Sequence, residues 1–519
     1  MKQTTRAAGA QGLRLSLAAT VAVLAISASA AQASTFIEGG SLLISSTTYA
    51  DTGAAAALVA GTSKLPGKKA NQTVTANSGG AFATVFNNNK VDGSFGVTTA
   101  ITLQDVNATT GAVNHTLNIS PSVAVTSFSS KSELSLNVTQ TGRSQVVTFM
   151  GYAGAPLGAL DVSNSDTTAY SDSTNPVTTY FGSTYAYNRA VVAVTTNGAV
   201  SATQTLAYGG NNGRAALLAP NGLYYTVGNS NNGSGTPTQL TTSTGLEVVT
   251  PGSTANSTMI APTYQSISGD KAGKDTNFRG LTLYNGNLYF TKGSGSNGIN
   301  TVYTVSDPSG ALPTAATASQ ATISILPGFP TDAAKTVLGD ATTGGNFTPF
   351  GLFFANADTL YVADEGTGNS TDANTNAGLE KWSLVNGSWT LDYTLKSGLI
   401  GTTYTTGTWP TVTTIGLRDL SGKVNADGTV TLWAVTSTSS SSGDNGADPN
   451  EVVSITDTVK STTGAGESFS VTAGPQYGVR YGGVAYAVPE PSTWALMLIG
   501  VGGLGLVLRS RRRTILAAA

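Results

Sequence analysis

The chain of 519 residues has no cysteine, one histidine and few charges, and each shortage closes off a class of function. Without cysteine there are no disulfides, no thiol nucleophile and no thiolate zinc site. His115 alone cannot build a multi-histidine metal centre. A serine triad resting on it would need a nucleophile elbow, which its Thr- and Asn-rich surroundings lack, so His115 is expected to be an exposed strand residue. Charged residues make up 10% of the chain. Of the 26 basic residues three lie before residue 34 and four after residue 508, which leaves residues 34–491 with 19 Lys plus Arg against 28 Asp plus Glu. A body that is net acidic and has no basic stripe cannot grip a phosphate backbone, and nucleic acid is excluded as a partner. The glycine-rich stretches Gly293-Ser294-Gly295 and Gly209-Gly210 carry neither a Lys-Ser/Thr pair nor a following helix, and read as turns rather than phosphate loops.

Sustained helical amphipathicity is also missing between Ser34 and Tyr486. Instead there are short runs of Val, Leu, Ile, Tyr and Phe, bounded by Asn-Gly, Asp-Gly, Gly-Asn or Gly-Ser. Such punctuation marks strands joined by tight turns, and the fold class is all-β. Repeats then suggest the architecture. Gly222-Leu223-Tyr224-Tyr225, Gly280-Leu281-Thr282-Leu283, Gly351-Leu352-Phe353-Phe354, Gly416-Leu417-Arg418 and Gly483-Val484-Ala485-Tyr486 follow one another at 58, 71, 65 and 67 residues. In the two clearest units a turn leads to a second strand, Leu288-Tyr289-Phe290 or Leu360-Tyr361-Val362-Ala363-Asp364. A third strand carries Tyr303 or Trp382, and a fourth spans Ala321 to Leu326 or Trp389 to Leu395. Four strands per unit make a β-propeller blade.

The first half of the chain fits the same frame. Glu133 to Val138, Val146 to Phe149, Ala190 to Val194 and Gln204 to Ala207 make one blade, and Arg214 to Leu218 with Gly222 to Val227 begin another. Ala81 to Phe86, Gly96 to Gln104 and His115 to Ile119 are expected to form the first. Gly478 to Ala487 is too short for a blade, so Phe36 to Ile44 is expected to pair with it and close the ring, which removes exposed sheet edges. The count is six full blades and one shared, hence seven, with six or eight as alternatives, all within a domain at 34–487.

Thr348-Pro349-Phe350-Gly351-Leu352-Phe353-Phe354 followed by Asp358-Thr359-Leu360-Tyr361-Val362-Ala363-Asp364-Glu365 resembles the repeat of NHL-type propellers, although these units are longer. That resemblance covers one blade well and a second passably. It implies the fold, and it admits a lactonase or lyase, since related propellers include such enzymes, usually with a metal in the central channel. Hard oxygen ligands of the kind calcium takes occur at Asp364, Glu365 and Asp372, and again at Asp444, Asp448 and Glu451. Neither group follows the EF-hand or the Gly-Gly-x-Gly-x-Asp spacing, so solvated loop carboxylates are favoured over a Ca2+ site.

The two ends carry addresses. Lys2, Arg6 and Arg14, an apolar run from Leu15 to Ile26 and Ala31-Gln32-Ala33 make a signal peptide over residues 1–33 for the Sec translocon, with cleavage after Ala30 as the near alternative. At the other end Val488-Pro489-Glu490-Pro491-Ser492 precedes an apolar run, Trp494 to Leu508, and then Arg509, Arg511, Arg512 and Arg513. Fifteen helical residues reach about 22 Å, short of a hydrocarbon core of about 30 Å, and the arginines would stay cytoplasmic. Residues 488–513 resemble the PEP-CTERM sorting signal of Gram-negative bacteria: a Pro-Glu-Pro motif, one short hydrophobic helix and an arginine cluster. The resemblance implies an exosortase-type protease as partner and removal of the tail on export to the surface or matrix. An uncleaved tail anchor is the alternative.

Two functions follow. One is a non-enzymatic surface or matrix module associated with exopolysaccharide or biofilm, expected to hold a neutral glycan through aromatic and amide side chains. The other is the metal-dependent lactonase or lyase, which needs Asp, Glu, Asn or His side chains converging on the axis.

Overall fold

The computed structural model describes residues 35–49, 52–59, 61–66, 73–75, 96–142, 144–160, 162–164, 179–180, 183–184, 187–230, 243–252, 257–270, 273–337, 347–367, 377–442, 445–464 and 466–488. The expected leader, the strand at Ala81 to Phe86, Asp372, Asp444 and the tail from Pro489 onward lie outside the described residues.

Six antiparallel sheets make the body. From the inside outwards the first blade is Val479–Tyr486, Leu42–Thr48, Ile101–Val106 and Val113–Asn118. The second is Asn137–Thr141, Ser144–Tyr152, Arg189–Thr195 and Val200–Thr205. The third is Gly213–Leu218, Tyr224–Gly228, Gly245–Val249 and Ser257–Met259. The fourth is Leu281–Tyr284, Asn287–Lys292, Thr301–Ser306 and Thr322–Ile325. The fifth is Pro349–Asn356, Thr359–Asp364, Gly378–Val385 and Ser388–Leu395. The sixth is Val412–Val424, Thr429–Ser440, Val452–Thr458 and Ser470–Ala473, with the short Thr403–Tyr404 added along its inner strand. Each inner strand contacts the inner strand of the next blade, and Val479–Tyr486 contacts those of both the second and the sixth, so the ring closes at six.

The expected count of seven is too high by one, and the chain ends explain why. The closing strand lies further along the chain than the expected Phe36 to Ile44: Leu42–Thr48 pairs with Val479–Tyr486, Leu42 opposite Tyr486 and Ile44 opposite Val484, while the Phe36 and Ile37 amides bond the Thr196 carbonyl instead. Leu42–Thr48 also pairs on its other side with Ile101–Val106. Of the strands expected in a separate first blade, Ile101–Val106 and Val113–Asn118 therefore belong to the closing one, and Val97–Thr99 pairs apart from it with Thr126–Phe128.

Alternation along the second strands explains the packing between blades. Leu288 and Phe290 pack toward the third blade, against Tyr225, Val227 and Leu246, whereas Tyr289 turns the other way onto Phe354. One blade on, Leu360 and Val362 face the fourth blade, while Tyr361 and Ala363 pack with Leu432 and Ala434 of the sixth. Leu42 and Ile44 meet Trp433 and Val435, and Leu43 meets Val147 and Phe149. Each of these fully buried aliphatic side chains contributes about 1.5–3 kcal/mol. Aromatic residues at the wedge keep their polar atoms satisfied. Tyr225 donates to the Pro313 carbonyl (2.7 Å), Tyr361 to Asp457 (2.5 Å), and the Trp433 indole to the Ala108 carbonyl (3.1 Å).

The two ends of the ring differ. At one end sit tight first-to-second-strand turns, among them Asn285-Gly286 with φ of 47° and 77°. Asn386-Gly387, between the third and fourth strands of the fifth blade, has φ of 51° and 82° at the same end. Two successive positive φ values are the type I′ turn that the Asn-Gly pairs signal. At the other end every second strand must connect to its third, and these links are long in all six blades: 49–100, 153–188, 229–244, 293–300, 365–377 and 441–451. The expectation that loops such as Thr367 to Ala377 and Ser437 to Asn450 share one face follows from this alternation.

Candidate functional site

The inner strands build the site. Leu281 pairs with Phe290, Leu352 with Val362, Leu420 with Ala434, Ala216 with Thr226 and Val484 with Ile44, and these pairs stand at one level of their blades. Two residues earlier come Arg279, Phe350, Arg418, Arg214 and Gly482. A register shift falls at that level in the first, third, fifth and sixth blades. Such a bulge sets two residues against one and re-aims a side chain. The repeat thus places three arginines, Arg214, Arg279 and Arg418, at equivalent positions in the third, fourth and sixth blades.

Between these side chains and the next turn of the backbone the strands come very close. A Cβ on Gly280 would run into the Phe350 carbonyl, and one on Gly351 would lie 2.6 Å from the Leu420 nitrogen. Close approach is therefore what the glycines of the Gly-Leu repeat serve. Two members of that repeat do not belong to it. Gly222 lies in the turn before a second strand, at φ 80° with open space around it, and Asp419 rather than Gly416 stands level with Gly280, Gly351 and Gly483. Sequence spacing alone could not separate an inner-strand Gly-Leu from one at a turn.

A cavity of about 280 Å³ opens above this waist, at the end of the ring that carries the long connections. Lys131, Arg279, Glu365 and Arg418 line it together with Ser294, Thr348, Thr367, Ser437, Thr438 and Asn445; Ile415 is the large apolar residue. No aromatic ring is among the described residues that line it. Glu365 forms an ion pair with Arg279 through Nη1, and its other oxygen meets Arg418 Nε at 3.3 Å. Burial pushes the Glu365 carboxyl up, but Arg279, Arg418 and Lys131 outweigh burial and hold it below the usual carboxylate range. Arg279 also donates from Nε to Ser294 Oγ at 3.0 Å and lies over the Phe350 ring, 5.4 Å from its centroid. Arg214 donates to Asn212 Oδ1, Asn277 Oδ1 and the Phe278 carbonyl, and burial with Arg279 nearby lowers its guanidinium to about 9.

The acidic candidates fare differently from one another. Asp364 is adjacent to Glu365 yet turns away from the cavity, accepting hydrogen bonds from the Thr348 amide (2.7 Å), the Thr348 hydroxyl (2.5 Å) and the Gly366 amide (2.9 Å). Burial raises its carboxyl to about 6 in spite of them. Asp372 lies outside the described residues. Asp448 accepts from Trp409 Nε1, Ser440 Oγ and Ser442 Oγ, which makes it a loop staple. Among the described residues no three acidic or histidine side chains gather as metal ligands. His115 is on the outer strand of the first blade, partly exposed, with Nε2 3.0 Å from Glu38 Oε1.

Below the waist a second cavity of about 200 Å³ is lined by Leu136, Leu352, Phe353, Tyr486 and Val488, with Asp419 at its top. Asp419 accepts from Ser135 Oγ (2.5 Å), the Leu136 amide (3.0 Å) and the Val484 amide (2.9 Å), so one carboxylate ties the sixth blade to the second and first. Burial raises it to about 6.

The arginines were missed by reasoning that looked for acidic loops. A signal was present. Residues 34–491 contain six arginines in a charge-poor body, one of them directly before Gly280 and one directly after Leu417. Arg189, Arg214, Arg279, Arg418 and Arg480 are all buried, and Arg143 lies outside the described residues.

Residues 487–513 match the PEP-CTERM protein-sorting motif. The chain is thus an exported protein whose tail is addressed to exosortase-type machinery. Among the described residues no helix is long and apolar enough to cross a membrane; Trp494 to Leu508 and the arginines at 509, 511, 512 and 513 fall outside them. No curated protein matches the chain. Among solved structures it is similar to a GH32 beta-fructofuranosidase of Bombyx mori, a mutant in complex with sucrose, at 12% identity and a TM-score of 0.30, over 64% of this chain and 65% of that one. It is also similar to a glycosyl hydrolase from Bacteroides ovatus at 8% identity and a TM-score of 0.28, over 67% of this chain and 94% of that one.

Proposed function

We propose that this exported propeller is a non-enzymatic binding module of the cell surface or extracellular matrix, associated with exopolysaccharide. The observation that carries the reading is the state of Glu365. It is the carboxylate among the described residues lining the channel mouth, and two arginines hold it. Glycoside hydrolysis takes two carboxylates with different protonation, and metal-assisted lactone or lyase chemistry takes several convergent ligands. A carboxylate clamped by guanidinium groups serves neither task. Hydroxyl and amide side chains around it suit the hydroxyls of a sugar.

Calorimetry of the exported, processed protein against the host's own exopolysaccharide tests this. Binding without turnover is expected. Absence of binding, together with hydrolysis of a lactone that stops on adding a chelator, would replace the module with the enzyme. Processing is a separate expectation: the intact mass of material from the native surface should lack residues 1–33 and the arginines from 509 to 513. An intact arginine tail in that material would favour an uncleaved anchor.

A further inference from the structure

We propose that the channel mouth recognises the carboxylate of an acidic sugar, a uronate residue of a polysaccharide, and not a neutral glycan held by aromatic stacking. This rests on the binding-module reading and names the ligand class for the same cavity.

Charge is the first reason. The body is net acidic, yet among the described residues the cavity lining brings Lys131, Arg279 and Arg418 against Glu365 alone. The other described acids near it are engaged elsewhere. Asp364 faces Thr348 and Gly366, Asp448 faces Trp409 and two serines, and Glu133 accepts from Thr126, Ser127 and Tyr152. The described lining therefore carries an excess of positive charge.

Donor inventory is the second. Arg418 is 4% exposed and uses Nε for Glu365, while Nη1 and Nη2 have no hydrogen-bond partner among the described residues. Arg279 uses Nε and Nη1, and its Nη2 is likewise without one. A guanidinium presents a planar fork that matches a carboxylate, and donors left unpaired in a cavity are costly unless a ligand or water meets them. A third point concerns size and the remaining lining. At about 280 Å³ the cavity is at the small end for ligand pockets, suited to one sugar unit, and Thr348, Ser437, Thr438 and Asn445 offer donors and acceptors for ring hydroxyls. Without an aromatic ring among the described lining residues, stacking does not account for the affinity.

The test compares an oligogalacturonate with a neutral oligoglucan of equal length by calorimetry on the exported, processed protein, with acetate as competitor. Oligogalacturonate is expected to bind, to weaken as salt rises, and to lose at least tenfold in affinity in Arg418→Gln. Lys131→Gln should lose several-fold and Lys131→Arg should keep most of the affinity, with melting followed on both variants, which separates loss of the charge from loss of folding. The neutral glucan should bind at least tenfold more weakly. Equal binding of both, unchanged by either Gln substitution, would overturn the acidic-sugar inference and leave the binding module standing. Acetate competing as well as the oligomer would reduce the site to a bare anion pocket and overturn the sugar class. Failure of oligogalacturonate to bind overturns the inference in any case, and the module falls with it only if the host polysaccharide also fails.

Discussion

The two ends of this propeller are made by different kinds of information. The tight end is local: Asn285-Gly286 and Asn386-Gly387 each adopt two positive φ values because those residue types tolerate them, and the turn is set by its own two residues. The open end is collective. Its cavity is lined by Arg279 from the fourth blade, Glu365 from the fifth, Arg418 from the sixth and Lys131 from the segment leading into the second. No pair of these is closer than 53 residues in sequence. Change at the tight end is expected to cost stability in small local steps, and change at the open end to cost both stability and binding.

The largest effect should come from breaking the ring that holds both ends. Deleting residues 34–48 removes Leu42, Leu43 and Ile44, all fully buried, and strips a neighbour from both Val479–Tyr486 and Ile101–Val106. At about 1.5–3 kcal/mol per side chain the loss rivals a whole domain's stability. A cooperative melt and a monomeric elution profile should both disappear. A monomer with an unchanged melting temperature would refute closure.

Next in size is the open end. Arg279→Ala leaves Glu365 buried with Arg418 as its remaining ion-pair partner and Lys131 nearby, and loss of about 3–5 kcal/mol is expected in urea unfolding, as for other broken buried pairs. Adding Glu365→Gln should recover part of it by removing the stranded charge. If the double variant is no better than the single, the arginine acts through packing on Phe350 rather than through charge.

A smaller effect is expected from pH. Asp364 and Asp419 have carboxyls raised to about 6, above the ordinary value of 3.8, so the folded state takes up their protons before the unfolded chain does. Stability should therefore rise as pH falls from about 7 toward 4, and that gain is lost again as pH climbs through 6. Glu365 is shifted the other way, and what it contributes is lost as pH falls below the usual carboxylate range. The melting temperature should peak on the acid side of neutrality. Asp419→Asn should flatten the rise between pH 7 and 5, and an unchanged pH profile in that variant would show that other groups produce it.

The smallest effect belongs to the tight end. Gly387→Ala, at φ 82° with nothing within reach of the new methyl, should cost about 1 kcal/mol from backbone strain alone and leave glycan binding as it was. A change in binding there would contradict the separation of the two ends.

Much of the architecture was readable in advance for the same reason that the tight end is simple. Period-two runs of Val, Leu and Tyr bounded by Asn-Gly report a strand and its turn from a few residues, and Leu360-Tyr361-Val362-Ala363-Asp364 proved to be a second strand with alternate faces buried on two blades. Closure by the chain ends was readable too, because a lone strand at 478–487 needed a partner. The blade count was not. Whether Ile101–Val106 begins a new sheet or extends the closing one depends on a pairing with Leu42–Thr48, more than 50 residues away and across a long insertion.

By itself, then, the sequence determined an all-β body of repeating four-stranded units, its turns and its export address, since each is written in neighbouring residues or in the order of a short motif. Only the tertiary structure decided that the ring has six blades, that Asp364 and Glu365 face opposite ways, and that Arg214, Arg279 and Arg418 share one level around an axis. For Arg214 and Arg418 the physical reason is a bulge and register shift in the inner strand, not spacing along the chain, which re-aims the side chain at that level.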